Sequence, residues 1–265
     1  MIDKNIVVTH SDPKSPVSEA YRVLRTNIQY SSVDKPLKTI VVTSSGPMEG
    51  KTTTVVNLAV TFAQAGSKVL LIDSDMRKPK LHKIFVMSNT RGLTNLLAEH
   101  DDYKKYIRST DVPNLDILTC GTIPPNPSEL LSSNSMKQFM QEASMDYDMI
   151  FMDSPPVVNV TDAAIISTFV DGTILVAYSG HVETGALKRA KELLDKVNAN
   201  ILGVVLNKLD KNAGANYYYY QNNYYGDEGK GRKKGRRSKR KMRISESGEK
   251  TAVTADSVSH DGTNT

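Results

Sequence analysis

One stretch constrains the fold of this chain more than any other: Ser44 to Thr53, with the sequence Ser-Ser-Gly-Pro-Met-Glu-Gly-Lys-Thr-Thr. A short apolar, β-branched run at 39–43 precedes it and predicts a buried strand. Apolar residues at helical spacing follow from Val55 to Ala65, and Gly66 is a stop. A strand, a glycine-bearing loop and a helix that carries Gly-Lys-Thr are the setting of a phosphate-binding loop (P-loop). The sequence therefore predicts that the chain binds a nucleoside triphosphate.

The chemistry of the loop follows from its backbone. Successive N–H groups and the positive end of the following helix surround an anion. We expect Lys51 to reach the outer phosphates and the Thr52 hydroxyl to bind Mg²⁺. Ser45 stands where the pattern usually has its first glycine. The predicted nucleotide-binding residues of the loop are Ser45, Gly46, Pro47, Met48, Glu49, Gly50, Lys51, Thr52 and Thr53.

Length and composition limit the class of protein. A chain of 265 residues is long enough for one sizeable α/β domain with extensions. No apolar run approaches the roughly 20 residues that cross a bilayer, and the N-terminus lacks a secretory apolar segment. The single cysteine, Cys120, excludes an intramolecular disulfide and fits a reducing cytosol. With one Cys and five His, a zinc cluster is not expected.

The net charge of +5 comes from one region. Residues 230–243 hold ten Lys or Arg and no acid, and without those ten, 24 basic residues face 29 acidic ones. Asn, Gly and Tyr dominate 211–229, while 244–265 are almost entirely polar. From about residue 211 onward the chain cannot bury enough apolar surface to offset the entropy of ordering, so we predict disorder there.

Between Lys38 and about Asp210, continuous apolar runs alternate with segments at helical spacing. This alternation is typical of a parallel sheet covered by helices on both faces. We predict an α/β fold: a three-layer P-loop NTPase with a mostly parallel sheet, an N-terminal helix and a disordered C-terminal tail. The predicted strands are 39–43, 69–72, 115–118, 148–152, 172–178 and 201–206.

The N-terminal region divides into two parts. Residues 1–15 are polar, and Pro13 and Pro16 are expected to break any regular element. A helical pattern then opens, with an apolar face and a charged stripe spaced three residues apart. The stripe consists of Glu19, Arg22 and Arg25. By itself, this pattern predicts a solvated charged surface.

Three aspartates directly follow predicted strands: Asp73, Asp75 and Asp153. Ligands of a parallel α/β sheet bind beyond the carboxyl ends of its strands, so these carboxylates are predicted to converge with the P-loop. Carboxylates beside a triphosphate require a cation between them, and oxygen-ligated Mg²⁺ is the natural one. We assign Asp75, Asp153 and the Thr52 hydroxyl to the metal.

Asp73 is the predicted general base, a role that matters if the phosphoryl acceptor is a phenol. A tyrosine hydroxyl has a pKa of about 10, so a positioned carboxylate would assist its deprotonation. Transfer itself depends mainly on alignment and on neutralising phosphate charge with Lys51 and Mg²⁺. The sequence does not separate Asp73 from Asp75 as the base. It lacks the His-Arg-Asp and Asp-Phe-Gly motifs of eukaryotic-type kinases, so a kinase of this sequence uses different machinery.

Six stretches stand out as a set: 47–52, 70–77, 149–156, 19–27, 124–131 and the terminal tyrosine cluster. Over about residues 15–225, this set resembles the motifs of the bacterial tyrosine kinases. The first four stretches match the P-loop, the Walker A′ motif, the Walker B motif and a ring-forming motif of that family. Met48 stands where that family commonly has glycine.

The resemblance implies an ATP- and Mg²⁺-dependent protein-tyrosine autokinase. Its tyrosine cluster would be phosphorylated by a neighbouring subunit, and a tyrosine phosphatase would remove the phosphoryl groups. It turns Glu19, Arg22 and Arg25 into a predicted subunit contact of a homo-oligomeric ring. The implied phosphoacceptors are Tyr217, Tyr218, Tyr219, Tyr220, Tyr224 and Tyr225. Together with the patterns along the chain, this predicts four parts: 1–37 with the oligomerisation helix, 38–210 as the P-loop kinase domain, 211–229 as the tyrosine cluster and 230–265 as the basic and polar tail.

Members of the family carry a membrane-spanning activator either fused or on a separate chain. Without a spanning segment, this chain is expected to be the separate cytoplasmic kinase, held at the inner face of the membrane by its partner. The implied partner is a membrane-embedded protein of the polysaccharide chain-length-regulator type, in capsule or exopolysaccharide synthesis and export. The basic run 230–243 lies outside the family pattern and predicts weak, salt-sensitive contact with an anionic membrane or nucleic acid.

Two motifs allow other interpretations. The run Asn207 to Asp210 mimics the Asn-Lys-x-Asp that recognises guanine in GTPases. In the P-loop relatives that the chain resembles, an Asn at this place contacts adenine, so we assign Asn207 to the base and leave Asp210 open. The main alternative function is a positioning ATPase of the partition or septum-site type. Those proteins carry a second lysine near the start of the loop, where this chain has Gly46, and they have no use for a tyrosine cluster.

Overall fold

A computed structural model describes residues 2–32 and 36–209. The tyrosine cluster, Asp210 and the basic run lie outside these residues. The described part contains seven strands: β1 (Thr39–Ser44), β2 (Val69–Asp73), β3 (Arg108–Ser109), β4 (Leu115–Leu118), β5 (Met149–Asp153), β6 (Gly172–Tyr178) and β7 (Ile201–Asn207). They form one sheet in the order β3-β4-β2-β5-β1-β6-β7. Neighbouring strands pair in parallel except β3 with β4, which confirms the predicted mostly parallel sheet.

Helices connect the strands as the alternating pattern predicts. The helices of the described residues are α1 (Val8–Ser11), α2 (Pro16–Gln29), α3 (Lys51–Gln64), α4 (Leu81–Ile84), α5 (Leu93–Glu99), α6 (Pro127–Ser132), α7 (Asn134–Asp146), α8 (Asp162–Ser167) and α9 (Thr184–Asp195). Four short elements without a clear period were not predicted: α4, α5, a 3₁₀ turn at Tyr103–Lys105, and β3. Within the described residues, none of the helices is long and apolar enough to cross a membrane.

The central strands are apolar on both faces because helices cover both. In β1, Ile40 and Val42 pack on the side of α3, whereas Val41 between them packs on the side of α7. In β2, Leu71 and Ile72 divide in the same way. Successive side chains of a strand point to opposite faces, so an unbroken apolar run can fill two cores at once. This arrangement places the carboxyl ends of β1, β2 and β5 side by side.

The N-terminal segment departs from its prediction. A short helix, α1, forms in spite of the prolines that follow it, and Ile2 and Val7 are buried in the core on the side of α3. The side chain of Asn57 in α3 holds this segment: its Oδ1 accepts from the backbone N–H and the hydroxyl of Thr9, at 3.0 and 2.9 Å. Its Nδ2 donates to the carbonyl of Ile6 at 2.7 Å. The segment therefore packs on the helix that follows the P-loop.

Candidate nucleotide-binding and phosphoryl-transfer site

The structure brings the predicted site together at one edge of the sheet. β2, β5 and β1 are neighbours, so the residues that follow them meet at their carboxyl ends. Asp73 and Asp153 are directly opposite each other in the pairing of β2 with β5. The P-loop follows β1, and its Thr52 hydroxyl donates to Asp153 Oδ2 at 2.7 Å. The predicted convergence of the loop with the carboxylates is thus present.

The loop closes onto α3 through a glycine with left-handed backbone. Gly50 is the N-cap of α3, at φ +92°. A Cβ atom on Gly50 would overlap the amide nitrogen of the Asn207 side chain. Glycine is therefore required here for its backbone conformation and for the space it leaves. Met48 also has positive φ, at +64°, and its side chain is exposed, so the residue that replaces the family's usual glycine still adopts a glycine-like conformation.

A buried carboxylate braces the start of the loop, and sequence reasoning missed this role. Glu49 Oε1 accepts from the Ser45 hydroxyl at 2.6 Å and from the backbone N–H of Gly46. Ser45 in place of the usual glycine supplies one of these two donors. Glu49 Oε2 is buried and has no partner among the described residues. The position of a Glu four residues after a Ser was the available indication, but only the curvature of the loop brings the two side chains into contact.

Lys51 lies among carboxylates. Its Nζ is 3.4 Å from Asp75 Oδ2, and both residues are buried. Asp75 Oδ1 accepts from the backbone N–H of Lys78 at 3.0 Å, which fixes the carboxylate in one orientation. A buried ammonium group at the N-terminus of α3 is suited to the outer phosphates of a nucleotide, and it neutralises part of the acidic cluster until they bind.

Burial raises the pKa of two of the aspartates. The pKa of Asp73 rises to about 8, first because the side chain is fully buried and second because Asp153 repels its negative charge. The pKa of Asp153 rises to about 6, because the cost of burial exceeds the stabilising effects of Lys51 and the Thr52 hydroxyl. Asp73 Oδ2 accepts from the backbone N–H groups of Lys80 and Leu81, both at 2.9 Å. The hydrogen-bond donors and Lys51 of the site thus do not fully stabilise the charged forms of Asp73 and Asp153.

The unsatisfied oxygens fit a cation. Asp73 Oδ1 and Asp153 Oδ1 are buried without a hydrogen-bond partner in the described part of the chain. No three His, Cys, Asp or Glu side chains of residues 2–32 and 36–209 form a ready-made metal site. Mg²⁺ in nucleotide sites usually takes one or two carboxylates, and water and phosphate oxygens complete its shell. Asp75, Asp153 and Thr52 fit such a partial set, and their assignment to the metal stays a prediction.

Asn207, at the end of β7, lies against the P-loop. Its Nδ2 donates to the carbonyl of Glu49 at 3.1 Å, and its Oδ1 accepts from the backbone N–H of Lys208 at 2.8 Å. The ammonium group of Lys208 donates to the carbonyl of Met48 at 3.3 Å and lies 4.3 Å from the centre of the Tyr178 ring. The end of β7 therefore supports the loop from its outer side. The contact of Asn207 with a base stays a prediction.

The charged stripe on α2 is partly engaged within the chain. Arg22 pairs with Glu19 at 2.7 Å and also donates to the carbonyl of Pro13. Arg25 donates to the carbonyl of Thr61, in α3, at 2.9 Å. Arg25 thus ties α2 to the P-loop helix, while Glu19 and Arg22 lie on the surface. The role of the stripe as a subunit contact stays a prediction, and the six predicted phosphoacceptor tyrosines lie outside the described residues.

Comparison with known proteins identifies close relatives. A family model described as AAA domain matches residues 37–202. The tyrosine-protein kinase YwqD of Bacillus subtilis is 45% identical over 220 residues, which cover 82% of this chain and 93% of YwqD. The crystal structure of the chimerical protein CapA2B2 has a TM-score of 0.76 at 42% identity, covering 80% of this chain and 93% of that one. The kinase domain of the Escherichia coli tyrosine kinase ETK has a TM-score of 0.75 at 34% identity, covering 77% and 80%.

Proteins of the septum-site type are more distant from this chain in sequence. The septum site-determining protein MinD of Pyrococcus horikoshii, solved with Mg-ADP, has a TM-score of 0.54 at 24% identity, covering 64% of this chain and 69% of that one. This likeness extends to the fold alone. YwqD and ETK, at 45% and 34% identity, are both tyrosine kinases by name.

Proposed function

This chain belongs to the bacterial tyrosine-protein kinases, and from that membership we propose that it transfers the terminal phosphoryl group of ATP to tyrosine residues of its own C-terminal cluster. One observation of this structure carries the proposal. Lys51, Thr52 and two buried aspartates with unpartnered oxygens lie together at the N-terminus of the P-loop helix. Such a site suits a triphosphate and a cation that cancels the charge of the carboxylates.

In this proposal each residue of the site has a separate role in phosphoryl transfer. The P-loop amides and Lys51 bind and orient the phosphates, and Lys51 offsets the negative charge on the transferring group. Asp75, Asp153 and the Thr52 hydroxyl would hold Mg²⁺, which supplies further charge neutralisation when bound. The incoming phenol oxygen forms a bond to the terminal phosphorus, the bond to the bridging oxygen breaks, and ADP leaves.

The phenol proton needs an acceptor, and Asp73 is suited to that role. A general base is most effective when its pKa lies near the working pH, and, in the site without metal or nucleotide, burial raises the pKa of Asp73 to about 8. Its Oδ2 accepts from two backbone N–H groups, whereas its Oδ1 is buried without a partner among the described residues, so in this proposal Oδ1 takes the proton. Asp75 is the competing candidate, but its Oδ2 already faces Lys51.

The acceptors are proposed to belong to a neighbouring subunit. The predicted phosphoacceptors are Tyr217, Tyr218, Tyr219, Tyr220, Tyr224 and Tyr225. In this proposal the charged stripe of α2 contributes to a homo-oligomeric ring that brings one subunit's cluster to the next subunit's site. A tyrosine phosphatase would reverse the modification.

The family resemblance supports a proposal for the cellular role. We place the kinase at the inner face of the cell membrane, bound to a membrane-embedded activator of the chain-length-regulator type. There it would regulate capsular or exopolysaccharide synthesis and export. The run 230–243, with ten basic residues, would add weak contact with anionic lipid or nucleic acid.

A mixing experiment tests transfer between subunits. One partner is a Lys51→Met variant with intact tyrosines, and the other has the wild-type site with all six cluster tyrosines changed to Phe. With ATP and Mg²⁺, and with the activator supplied, phosphotyrosine is expected on the Lys51→Met chain in the mixture and on neither chain alone. Phosphotyrosine absent from the mixture but present in wild type would contradict transfer in trans.

A further inference from the structure

Arg77, two residues after Asp75, forms a bidentate (two-pronged) ion pair with Asp162, the first residue of α8. Its Nε donates to Asp162 Oδ2 at 2.8 Å, and one terminal nitrogen donates to Asp162 Oδ1 at 3.0 Å. The Asp162 side chain is fully buried, whereas that of Arg77 is 40% exposed. This parallel geometry fixes the direction as well as the distance between the two groups.

A third residue completes the contact. The Ser128 hydroxyl, in α6, donates to Asp162 Oδ1 at 2.7 Å. The same hydroxyl lies 3.4 Å from a terminal nitrogen of Arg77, at the limit of a hydrogen bond. Asp162 thus joins three separate elements: the loop after β2, the start of α8 and the start of α6. We name Arg77, Asp162 and Ser128 the loop clamp.

The loop that Arg77 anchors also orients the catalytic aspartates. The backbone N–H of Lys78 donates to Asp75, and those of Lys80 and Leu81 donate to Asp73. These three donors lie within four residues of Arg77 along the chain. Displacement of Arg77 would move the peptide groups that hold both carboxylates in place.

The other end of the clamp leads to the third aspartate. Asp162 begins the helix that follows β5, and β5 ends at Asp153. The backbone N–H and the hydroxyl of Ser74, in the loop after β2, donate to the carbonyl of Asp153 at 2.9 and 2.8 Å. The two loops are therefore joined twice, near the strand ends by Ser74 and farther out by the clamp. Two separated attachments restrict rotation of one loop against the other, which one attachment cannot do.

We propose that Arg77, Asp162 and Ser128 are positioning residues, which hold the loop after β2 so that Asp73 and Asp75 face Lys51 and the bound nucleotide. The kinase part of this inference rests on the function proposed above. The structural part, the order of residues 76–81, does not depend on catalysis and can be measured without it.

Hydrogen exchange of the backbone amides measures the order of the loop. Asp162→Asn keeps the shape and removes the charge, Arg77→Lys removes the two-pronged geometry, and Ser128→Ala removes one donor. In each variant, amide exchange of Lys78, Lys80 and Leu81 is expected to accelerate about tenfold or more, since hydrogen bonds to charged groups are among the stronger ones. Exchange in β1 and α3 is expected to stay unchanged. Asp195→Asn, which breaks an exposed pair with Lys191 (48% and 64% exposed), is the matched control and should alter neither region.

Nucleotide binding and turnover provide the second measurement. Without Mg²⁺, each clamp variant is expected to bind ATP as wild type does, because the P-loop is intact. The gain in ATP affinity on adding Mg²⁺ should fall several-fold, and kcat for autophosphorylation should fall about tenfold with a smaller change in KM, as expected for misplaced catalytic groups.

The pattern of amide exchange decides whether the loop clamp holds the loop. Unchanged exchange at Lys78, Lys80 and Leu81, or acceleration spread equally over β1 and α3, would overturn the clamp in favour of a general role in stability. Should Asp162→Asn fail to fold, Ser128→Ala and Arg77→Lys still decide, since they leave the buried carboxylate a partner. Absence of phosphotyrosine in wild type would refute the proposed function, while the exchange pattern would still settle the clamp.

Discussion

The carboxyl edge of the sheet and the charged stripe on α2 use the same types of charged residue in opposite ways. At the sheet edge, Lys51, Asp73 and Asp153 are buried, and one oxygen of each of these two aspartates lacks a partner in the described residues. On α2, Glu19 and Arg22 pair in contact with water. Buried, incompletely satisfied charge lowers stability, and a folded protein keeps it where it serves binding or catalysis. Exposed pairs contribute little to the free energy of folding. Such a pair therefore either contacts another molecule or is simply part of the solvated surface.

The largest predicted effect is loss of catalysis on removing the buried lysine. Lys51→Met should reduce the initial rate of autophosphorylation about a thousandfold, because a single preorganised donor at the transferring group contributes on the order of 10²–10³ in kcat. Lys191→Met removes an exposed lysine of α9 and should leave the rate unchanged. Equal rates for wild type and Lys51→Met, measured by ³²P incorporation, would contradict a functional role for the buried charge.

The next effect concerns the stability cost of Asp73. Its pKa of about 8 in the folded protein lies above the ordinary 3.8, so the folded state binds the proton more tightly than the unfolded state does. Folding stability must therefore fall as the pH rises from about 4 to about 8, where the carboxylate form is buried against its preference. Without metal or nucleotide, Asp73→Asn should raise Tm at pH 8 by several degrees, at about 2–4 °C per kcal/mol.

The pH dependence separates this effect from a general one. At pH 5 the same substitution should raise Tm much less, because Asp73 is then protonated in wild type. Asp195→Asn on the exposed face of α9 should give no such difference between the two pH values. A rise in Tm for Asp73→Asn that is equal at pH 5 and pH 8 would show that buried charge is not the cause.

Features that depend on local sequence patterns could be predicted, whereas contacts between residues far apart along the chain could not. The P-loop, the parallel sheet and the meeting of Asp73 with Asp153 follow from local strand patterns and from the rule that ligands bind at strand ends. The pairing of Glu49 with Ser45 requires the curvature of the loop, and the pairing of Arg77 with Asp162 joins residues 85 positions apart. Neither contact has a periodic pattern, and the short helices α4 and α5 lack one too.

A smaller effect is expected at the junction of the loop with α3. Gly50→Ala should lower stability by about 1–2 kcal/mol from left-handed backbone strain alone, and it should also displace Asn207. ATP affinity measured by calorimetry should fall with it. Gly185, inside α9, has open space where a Cβ would lie, since no described atom beyond its chain neighbours and its own helix backbone comes within 4 Å, so Gly185→Ala should be neutral or stabilising by about 0.5–1 kcal/mol. Equal Tm values for the two variants would contradict the account of the loop.

The smallest effect on stability is expected on the outer face of α2. Glu19→Gln should change the free energy of unfolding by less than about 0.5 kcal/mol, as is usual for an exposed pair. If the stripe is a subunit contact, the same substitution should shift the protein toward monomers in sedimentation analysis at unchanged Tm. A change in Tm without a change in assembly would assign the pair to the fold instead.

The fate of the terminal phosphoryl group tests the central claim most directly. Protein with the activator supplied is incubated with Mg²⁺ and ATP labelled in the γ-phosphate, and the label is divided between phosphotyrosine of residues 217–225 and inorganic phosphate. The account predicts label on these tyrosines, lost in Lys51→Met. Label recovered as inorganic phosphate, with none on tyrosine, would contradict it and indicate an ATPase.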